Sequence, residues 1–563
     1  MCIVLSMNAV DHIVEQLANH GLDTFFVFTG GAIVPFIDAV GRNTKCRYFC
    51  FQHEQAAAMA AEAYWKTSGK IATVLVTSGP GVQNILNGVC GCWYDSVPCL
   101  FISGQVNTNE SLDSIVSKPR QLGFQETPVV ETFKQCTLMC EKIKNSDELS
   151  DVFSRAASLL LTSSRPGPVL IDFPVNLQMS KHEVHINVQD LSHKYDTTCL
   201  VDDMKLFNKP LVILGNGARG SDVQGWIEKA QIPFVCSWAA SDIIPHDHPL
   251  FIGQHGVYGD RVANYAIQNA NLLVILGARM DTRQIGGNLR TCSRNSKRIM
   301  VDVDIHEMNK LTERGFPVDW PIVSTVSRFV DNNPLDVLDT HEWIEILNTW
   351  KKEFGVESTR EGDVYPLLEK LWSTLPEKCI VIPDTGGNLT WTMQTIHPKK
   401  GQRVFSNFGN SSMGYALPTA IGAAIGSDGK IPVYAIHGDG GFQLNIQELL
   451  TISKYKLPIK NYVINNAGYG IIKQFQDSYF NSRYTATDIH DVFGDVHVDY
   501  NKISEAYGGV EIHEIRIHPD QKIFPKLEFG NALENMSPQR PELHKYMLIP
   551  PVQPNVGSGW ISK

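Results

Sequence analysis

A glycine-rich turn, His437-Gly438-Asp439-Gly440-Gly441-Phe442, stands between two different hydrophobic patterns. The run before it, 433–436, is typical of a buried strand, and a helical pattern through Glu448 follows it. The next strand-like run ends in Asn465-Asn466. In a parallel strand-helix-strand unit, Asp439 and Asn466 therefore lie at the carboxyl ends of adjacent strands, the edge at which ligands bind.

These residue types predict a magnesium-diphosphate anchor. A carboxylate from Asp439, an amide oxygen from Asn466 and the carbonyl of Gly468 are oxygen ligands suited to a hard cation. Glycines at 438, 440 and 441 let backbone amides and a helix N-terminus approach a diphosphate. Taken alone, the same turn is also compatible with an ordinary strand-to-helix connection.

Strand-like and helical patterns alternate along the rest of the chain, which predicts an α/β protein with three doubly wound parallel-sheet domains. We expect these domains at 1–182, 205–336 and 362–530, followed by a tail at 531–563. Polar residues at 180–203 are interpreted as a linker, and 341–361 as an exposed helix.

Composition excludes several classes of protein. Of the residues, 43% are hydrophobic and 19% are charged, which is ordinary for globular proteins. A chain of 563 residues is too long to fold around a single hydrophobic core. A formal net charge of −10 argues against nucleic-acid and anionic-membrane partners. No run approaches the roughly 18 to 20 apolar residues of a membrane span, so we expect a cytoplasmic protein.

The spacing of the Asp439 turn and the Asn465-Asn466 pair resembles the diphosphate motif of thiamine diphosphate enzymes. That resemblance implies a glutamate from another domain beside the aminopyrimidine ring of the cofactor, and Glu54 fits this demand. Glu54 stands at a strand-to-helix junction among small apolar residues. The alternative is a helix-terminal glutamate stabilised by the helix dipole. For His53 we favour a packing or supporting role.

Further motifs resemble the catalytic subunit of acetolactate synthase, whose domains are pyrimidine-binding, central nucleotide-binding-like and diphosphate-binding. The matching stretches are 29–35, 77–84, 94–98, 103–106, 123–128 and 409–414. The resemblance implies catalytic roles for Glu54, Gly31, Phe124 and Gln125. It implies cofactor contacts at Pro80, Asn84, Gly386, Gly387, Asn388, Ser411, Met413, Gly438, Gly440 and Gly441.

The central domain resembles the FAD-binding domain of acetolactate synthases. The residues that carry this resemblance are Arg165, Gly215, Gly217, His255, Gly256, Gly277 and Arg279. It implies a bound FAD with a structural rather than a redox role. The alternative is a nucleotide fold that is empty.

Two departures concern the acceptor pocket, to which we assign Val175, Arg283, Ile471 and Phe475. Val175 stands where the family has a lysine, and Phe475 corresponds by count to its tryptophan, while Arg283 is retained. Loss of the cation and a wider pocket predict an acceptor other than a second 2-keto acid. The segment 524–530 also resembles homologues that act on keto sugar nucleotides.

We therefore expect a carboligase that decarboxylates pyruvate and transfers the two-carbon unit to a carbonyl acceptor, with a keto sugar nucleotide as the expected example. The resemblance implies thiamine diphosphate, Mg²⁺ and FAD as cofactors and a homodimer or homotetramer as the working unit. Two alternatives are an ordinary acetolactate synthase catalytic subunit and a non-catalytic regulatory homologue. A Rossmann-type dehydrogenase is disfavoured because no GxGxxG opens a βαβ unit.

Overall fold

The computed structural model describes residues 7–117, 119–192, 201–334, 337–354, 364–494 and 496–554. It contains three parallel sheets with helices on their faces, which confirms the predicted fold class. The expected domain limits stay a prediction, and residues 336 and 362 lie outside the described residues. None of the described helices is long and apolar enough to cross a membrane.

The N-terminal sheet has six strands in the order β2-β1-β3-β4-β6-β5. Its strands are β1 Thr24–Val27, β2 Arg47–Cys50, β3 Ala72–Val76, β4 Leu100–Gln105, β5 Met139–Lys142 and β6 Val169–Pro174. Its helices are Ala9–Asn19, Val34–Arg42, Glu54–Ser68, Pro80–Asn84, Leu86–Tyr94, Val129–Phe133, Leu149–Thr162 and Val175–Gln178.

The central sheet also has six strands, in the order β12-β11-β10-β7-β8-β9. Its strands are β7 Pro210–Leu214, β8 Phe234–Cys236, β9 Phe251–Gln254, β10 Leu272–Leu276, β11 Lys297–Asp302 and β12 Trp320–Val323. Its helices are Val201–Met204, Val223–Ala230, Arg261–Asn269, Thr282–Ile285, Ile305–Glu313, Val326–Asn332 and His341–Phe354.

The C-terminal sheet has five strands in the order β14-β13-β15-β16-β17. Its strands are β13 Cys379–Pro383, β14 Gln402–Val404, β15 Val433–Gly438, β16 Ile459–Asn465 and β17 Ile512–Arg516, and a small antiparallel pair, β18 Lys526–Leu527 and β19 Met536–Ser537, follows. Its helices are Val364–Ser373, Gly387–Thr395, Ala416–Gly426, Asp439–Gln443, Leu449–Tyr455, Gly470–Tyr479, Ile489–Val492 and Tyr500–Ala506.

The N- and C-terminal domains share one hydrophobic core. Helix Glu54–Ser68 packs directly against helix Ala416–Gly426, and both are rich in alanine or glycine at the contact. A Cβ atom at Gly422 would overlap the backbone of Ala60, so the close approach depends on that glycine. This packing fixes the position of Glu54's helix relative to the C-terminal domain.

Two interpretations of connecting segments need correction. The helix expected to be exposed buries Trp343, Leu347, Trp350 and Phe354 against the central domain, because its apolar residues recur at helical spacing; 355–361 lies outside the described residues. The first part of the expected linker packs on helix Leu149–Thr162. Serine and threonine hydroxyls of that helix accept hydrogen bonds from backbone amides of the linker. Residues 193–200 lie outside the described residues.

Candidate functional site

The predicted catalytic residues of the N-terminal domain gather at the carboxyl edge of its sheet. Gly31 follows β1, Glu54 follows β2, and Pro80 follows β3. Glu54 is only 6% exposed, and its Oε2 accepts a hydrogen bond from Asn84 Nδ2 at 3.0 Å. A Cβ at Gly81 would lie 3.5 Å from Glu54 Oε1, so small residues surround the carboxyl group.

His53 determines where the helix carrying Glu54 begins. Its backbone is extended, and its Nδ1 accepts a hydrogen bond from Gln55 N at 3.1 Å. This side chain therefore satisfies one of the free amides at the helix N-terminus. The supporting role expected for His53 is that of a helix cap.

Three more predicted residues lie near the same edge. Gln125 adopts a left-handed backbone with φ of 63° and packs against Gly79, where a Cβ would clash with it. Phe124 is 85% exposed in the described chain. Val175 begins a short helix after β6, and Gln178 of that helix donates to the Ala32 carbonyl at 2.8 Å.

Asp439 begins a helix directly after β15 and is 4% exposed. Its carboxylate accepts from Gly440 N at 2.8 Å and from Gly468 N at 3.2 Å, so the two predicted metal-ligand segments touch. Burial raises the pKa of Asp439 to about 6, and a bound cation would favour its charged form. Asn466 is also buried, at the end of β16.

The chemistry of this donor set fits Mg²⁺ rather than a transition metal. Among the described residues, no group of three or more His, Cys, Asp or Glu side chains could hold a metal ion. A cation beside Asp439 would therefore complete its shell with amide and carbonyl oxygens and with the oxygens of its ligand. A cavity of about 150 Å³ adjoins Asp439 and Asn466.

The predicted diphosphate contacts after β13 converge on the same place. Gly386 has a φ of 98°, and Asn388 Nδ2 donates to the Thr385 carbonyl at 2.7 Å. A Cβ at Gly438 would lie 3.3 Å from that amide, which joins this turn to the one after β15. Asn388 Oδ1 is buried and accepts no hydrogen bond within the described part of the chain, as expected where a polar ligand belongs.

Asp384 has a role that sequence reasoning missed. It is fully buried and accepts from the backbone amides of Thr385, Gly414 and Ala416 at 2.7 to 3.1 Å. Burial raises its pKa to about 7. It thus holds the loop that carries Ser411, whose φ is 56°, and the half-buried Met413. An acidic residue directly after a buried strand was the available signal.

A cavity of about 380 Å³ lies between the three domains. The predicted FAD contacts that line it are Arg165, Gly215, Gly217, Gly277 and Arg279. Glu307 Oε1 lies 3.0 Å from Arg165 Nη2 and 3.8 Å from Arg279 Nε. Arg165 also pairs with Asp304. Gly215 and Gly277 pack backbone to backbone, which accounts for these two glycines without a ligand.

The lining of this cavity fits a polar ligand. The hydroxyl groups of Ser237 and Ser324 are buried in it and find no hydrogen-bond partner among the residues the structure describes. A buried hydroxyl without a partner is costly, so a ligand or ordered water is expected there. Together with the two arginines, this favours a polar ligand in the cavity.

A smaller cavity of about 60 Å³ shares Ser237 with the large one and reaches Ser411. His255, Gly256 and Arg283 line it. Burial lowers the pKa of His255 to about 4, so its imidazole is neutral at pH 7. Arg283 lies over the Tyr258 ring at 5.3 Å.

The four predicted acceptor residues fall in two places within one chain. Val175 lies with Gly31 at the edge of the N-terminal sheet. Arg283 lies beside Tyr258, and Ile471 packs in the same apolar cluster as Tyr258. Phe475 lies one helical turn further on, with its ring 4.8 Å from that of Tyr479.

Glu528, near the end of the C-terminal domain, brings an acidic side chain to this region, which sequence reasoning did not single out. Tyr479 donates its hydroxyl to Glu528 Oε2 at 3.0 Å and accepts from Phe529 N at 3.1 Å. Glu528 Oε1 also lies 3.0 Å from Lys526 Nζ, so its charge is paired within its own segment. No local pattern around 528 predicts the contact with Tyr479, which lies 49 residues earlier in the chain.

Comparison with known proteins agrees with this arrangement. Family models match in order: the N-terminal TPP binding domain of thiamine pyrophosphate enzymes at residues 7–132, the central domain at 198–332, and the C-terminal TPP binding domain at 384–537. Gly31, Glu54 and Pro80 fall inside the N-terminal match and Asp439 falls inside the C-terminal match, whereas Val175 lies beyond the N-terminal match.

Several relatives match most of the chain. Acetolactate synthase 2, chloroplastic, of Brassica napus is 32% identical over 84% of this chain and 76% of its own length. Acetolactate synthase isozyme 2 large subunit of Escherichia coli is 28% identical over 89% of this chain and 90% of its own length. Acetolactate synthase large subunit of Lactococcus lactis is 29% identical over 88% of this chain and 86% of its own length. The chain therefore belongs to the thiamine diphosphate enzymes of the acetolactate synthase type.

Proposed function

We propose that the protein is a carboligase that takes the two-carbon unit of pyruvate and adds it to a carbonyl acceptor. The observation that carries this proposal is that the residues we assign to the two ends of the cofactor are buried at two sheet edges. Glu54 lies buried at one sheet edge, and Asp439 lies beside the 466–468 turn at another. The names of the relatives support pyruvate as the donor.

Bound thiamine diphosphate supplies the carbanion chemistry by which a 2-keto acid loses CO₂. The residues of the chain would bind and orient it. Asp439, Asn466 and the Gly468 carbonyl would hold Mg²⁺, and amides at Gly387, Asn388, Gly440 and Gly441 would approach the diphosphate. Glu54, oriented by Asn84, would hold a proton at the N1′ atom of the aminopyrimidine ring.

FAD is proposed as a second, non-redox cofactor. The 380 Å³ cavity offers two arginines and two hydroxyls that find no hydrogen-bond partner among the described residues, and these groups suit a nucleotide. Glu307 would then exchange its pairing with Arg165 for contact with the ligand or solvent. Measuring flavin released from the purified, denatured protein tests this part, and a flavin-free but fully active protein would contradict it.

The acceptor is proposed to be a carbonyl compound other than a second 2-keto acid, with a keto sugar nucleotide as one example. Val175 places an aliphatic side chain where the family has a lysine. This change removes a positive charge that would attract a carboxylate, and it therefore weakens the binding of a second 2-keto acid.

The ordinary acetolactate synthase reaction is the second candidate. The curated relatives cited above are all acetolactate synthases, and Arg283 is present to meet a 2-keto acid. A non-catalytic regulatory homologue is disfavoured, because Glu54, Asp439 and Asn466 are all intact. We propose a homodimer or homotetramer, since the resemblance to thiamine diphosphate enzymes implies that the aminopyrimidine end and the diphosphate end of one cofactor are held by different chains. A cytoplasmic location stays a prediction.

The experiment is CO₂ release from pyruvate by the protein loaded with Mg²⁺ and thiamine diphosphate. The acceptors offered are none, 2-ketobutyrate, acetone, benzaldehyde and a keto sugar nucleotide. We expect release to rise with a neutral carbonyl acceptor, and Glu54→Gln serves as the inactive control. No release with any acceptor, despite bound cofactor, would contradict the carboligase and favour the regulatory homologue.

A further inference from the structure

The segment that leads into Glu54 is held by the C-terminal domain of the same chain. Helix Leu449–Tyr455 lies across it, and the Tyr455 hydroxyl accepts from Cys50 N at 2.8 Å. At the other end of that helix, Glu448 Oε1 accepts from Gln52 N at 2.9 Å. The two contacts fall on Cys50, the last residue of β2, and on Gln52, two residues before Glu54.

Glu448 is a buried carboxylate that no cofactor contact explains. It is fully buried, and its second oxygen accepts from Thr451 Oγ1 at 2.7 Å. Burial raises its pKa to about 7, against the favourable effect of these hydrogen bonds. A carboxylate in such a place is costly, which suggests a task that a smaller or apolar residue cannot perform.

The bond to Gln52 lies two residues before Glu54. His53 follows Gln52 and caps the helix, so a shift of the Gln52 backbone would move the cap and the helix start with it. Glu54 in turn needs its present position to accept from Asn84. The geometry of the catalytic carboxyl therefore depends on where Gln52 is held.

The same glutamate is also tied to the diphosphate turn. Between Asp439 and Glu448 runs one short helix, and Asn445 anchors the connection by donating to the Gly414 carbonyl at 2.7 Å. Gly414 N in turn donates to Asp384, which holds the cofactor loop. A displacement of the turn after β15 would thus be passed to Glu448.

We propose that Glu448 is a positioning residue: its carboxylate fixes the Gln52 backbone so that Glu54 is presented in register with Asn84. This proposal rests on the role proposed above for Glu54. It predicts that reach, and not negative charge, is what position 448 must supply.

The test compares Glu448→Asp with Glu448→Gln in the holoenzyme. Aspartate keeps the charge but withdraws the oxygen by about 1.5 Å, one carbon–carbon bond. Glutamine loses the charge but keeps an oxygen at full reach, and its amide can donate to the Thr451 hydroxyl. The readouts are deuterium exchange at C2 of the bound cofactor, the Kd of thiamine diphosphate, and amide exchange of the 50–55 backbone in the cofactor-free protein.

We expect Glu448→Asp to slow C2 exchange by roughly 10- to 100-fold, the loss that a misplacement of about 1 Å can cause. Amide exchange across 50–55 should quicken in the same variant, with little change in Kd. Glu448→Gln should stay within about 3-fold of the wild type. In a Glu54→Gln background, Glu448→Asp should slow C2 exchange no further, because both changes act through one group.

The proposal would be overturned if C2 exchange were equal in Glu448→Asp and Glu448→Gln, or faster in Glu448→Asp. It would also be overturned if the slowing caused by Glu448→Asp added to the slowing caused by Glu54→Gln. Unchanged C2 exchange in Glu54→Gln alone would instead contradict the role of Glu54. Amide exchange of 50–55 then still reports whether Glu448 holds this segment.

Discussion

Asn84 donates a hydrogen bond to Glu54 across 3.0 Å, joining the segments that follow β3 and β2. A neutral amide donor fixes the direction of the carboxyl group without placing a charge beside it. The bond therefore orients the group that we assign to the cofactor's pyrimidine ring.

Glu54→Gln should retain thiamine diphosphate but slow exchange of its C2 proton. Glutamine preserves size and polarity but cannot supply an acidic proton, and the loss of acid-base help typically costs about 10² to 10⁴-fold. Deuterium exchange at C2 measures this in the loaded protein. Glu131→Gln, at an exposed position of the same domain, is the control. Exchange at the wild-type rate in Glu54→Gln would refute the assignment.

Asp439→Ala should abolish Mg²⁺-dependent binding of thiamine diphosphate without unfolding the protein. It removes the charged member of the proposed ligand set, and even outer-shell partners of a metal are worth roughly 10- to 100-fold in affinity. We therefore expect Kd to rise by more than about 100-fold, measured by calorimetry at fixed Mg²⁺. Asp339→Ala, an exposed aspartate, is the matched control. If the two variants bind alike, Asp439 is not a ligand.

His255 should contribute to acid sensitivity of the flavin-free protein. Burial lowers its pKa to about 4 from an ordinary 6.5, so between these values the unfolded chain binds more protons and stability falls as the pH falls. Buried Asp172 and Asp384, with pKa raised to about 7, act in the opposite direction, so the comparison is made between variants.

The expected result is that His255→Gln loses less in Tm between about pH 7 and pH 5 than the wild type does. His341→Gln, with a highly exposed side chain, should behave like the wild type. Calorimetry on the three proteins gives the answer. A pH dependence in His255→Gln identical to that of the wild type would rule out a neutral buried His255.

Local pattern was sufficient for the parallel sheets and for the Asp439 turn, because strand-to-helix junctions in α/β units put their residues at one sheet edge. It was insufficient where contacts join distant segments. Glu448 and Glu528 act through partners 396 and 49 residues away, and no periodicity encodes such pairs. The expectation that the helix at 341–354 is exposed was wrong. Polar residues are numerous in this segment, but its apolar residues recur at helical spacing and form one buried face.

Val175→Lys should raise acetolactate formation from pyruvate. It restores the cation that the family has near the acceptor, and one charged hydrogen bond to a carboxylate is worth about 1.5 to 3 kcal/mol, hence roughly 10- to 150-fold in discrimination. Val337→Lys, at an exposed site, controls for added charge. Acetolactate is measured by product analysis with pyruvate alone. Equal yields in Val175→Lys and Val337→Lys would show that position 175 does not face the acceptor.

Competition between acceptors tests whether the protein prefers a neutral carbonyl compound to a second pyruvate. Isotopically labelled pyruvate is given to the wild-type holoenzyme with and without an equal concentration of a keto sugar nucleotide or benzaldehyde, and the label is followed into acetolactate and into the mixed product. We expect little acetolactate from pyruvate alone and most of the label in the mixed product when a neutral carbonyl is present. Robust acetolactate formation from pyruvate alone, undiminished by any of these competitors, would contradict the proposed acceptor preference and identify an ordinary acetolactate synthase.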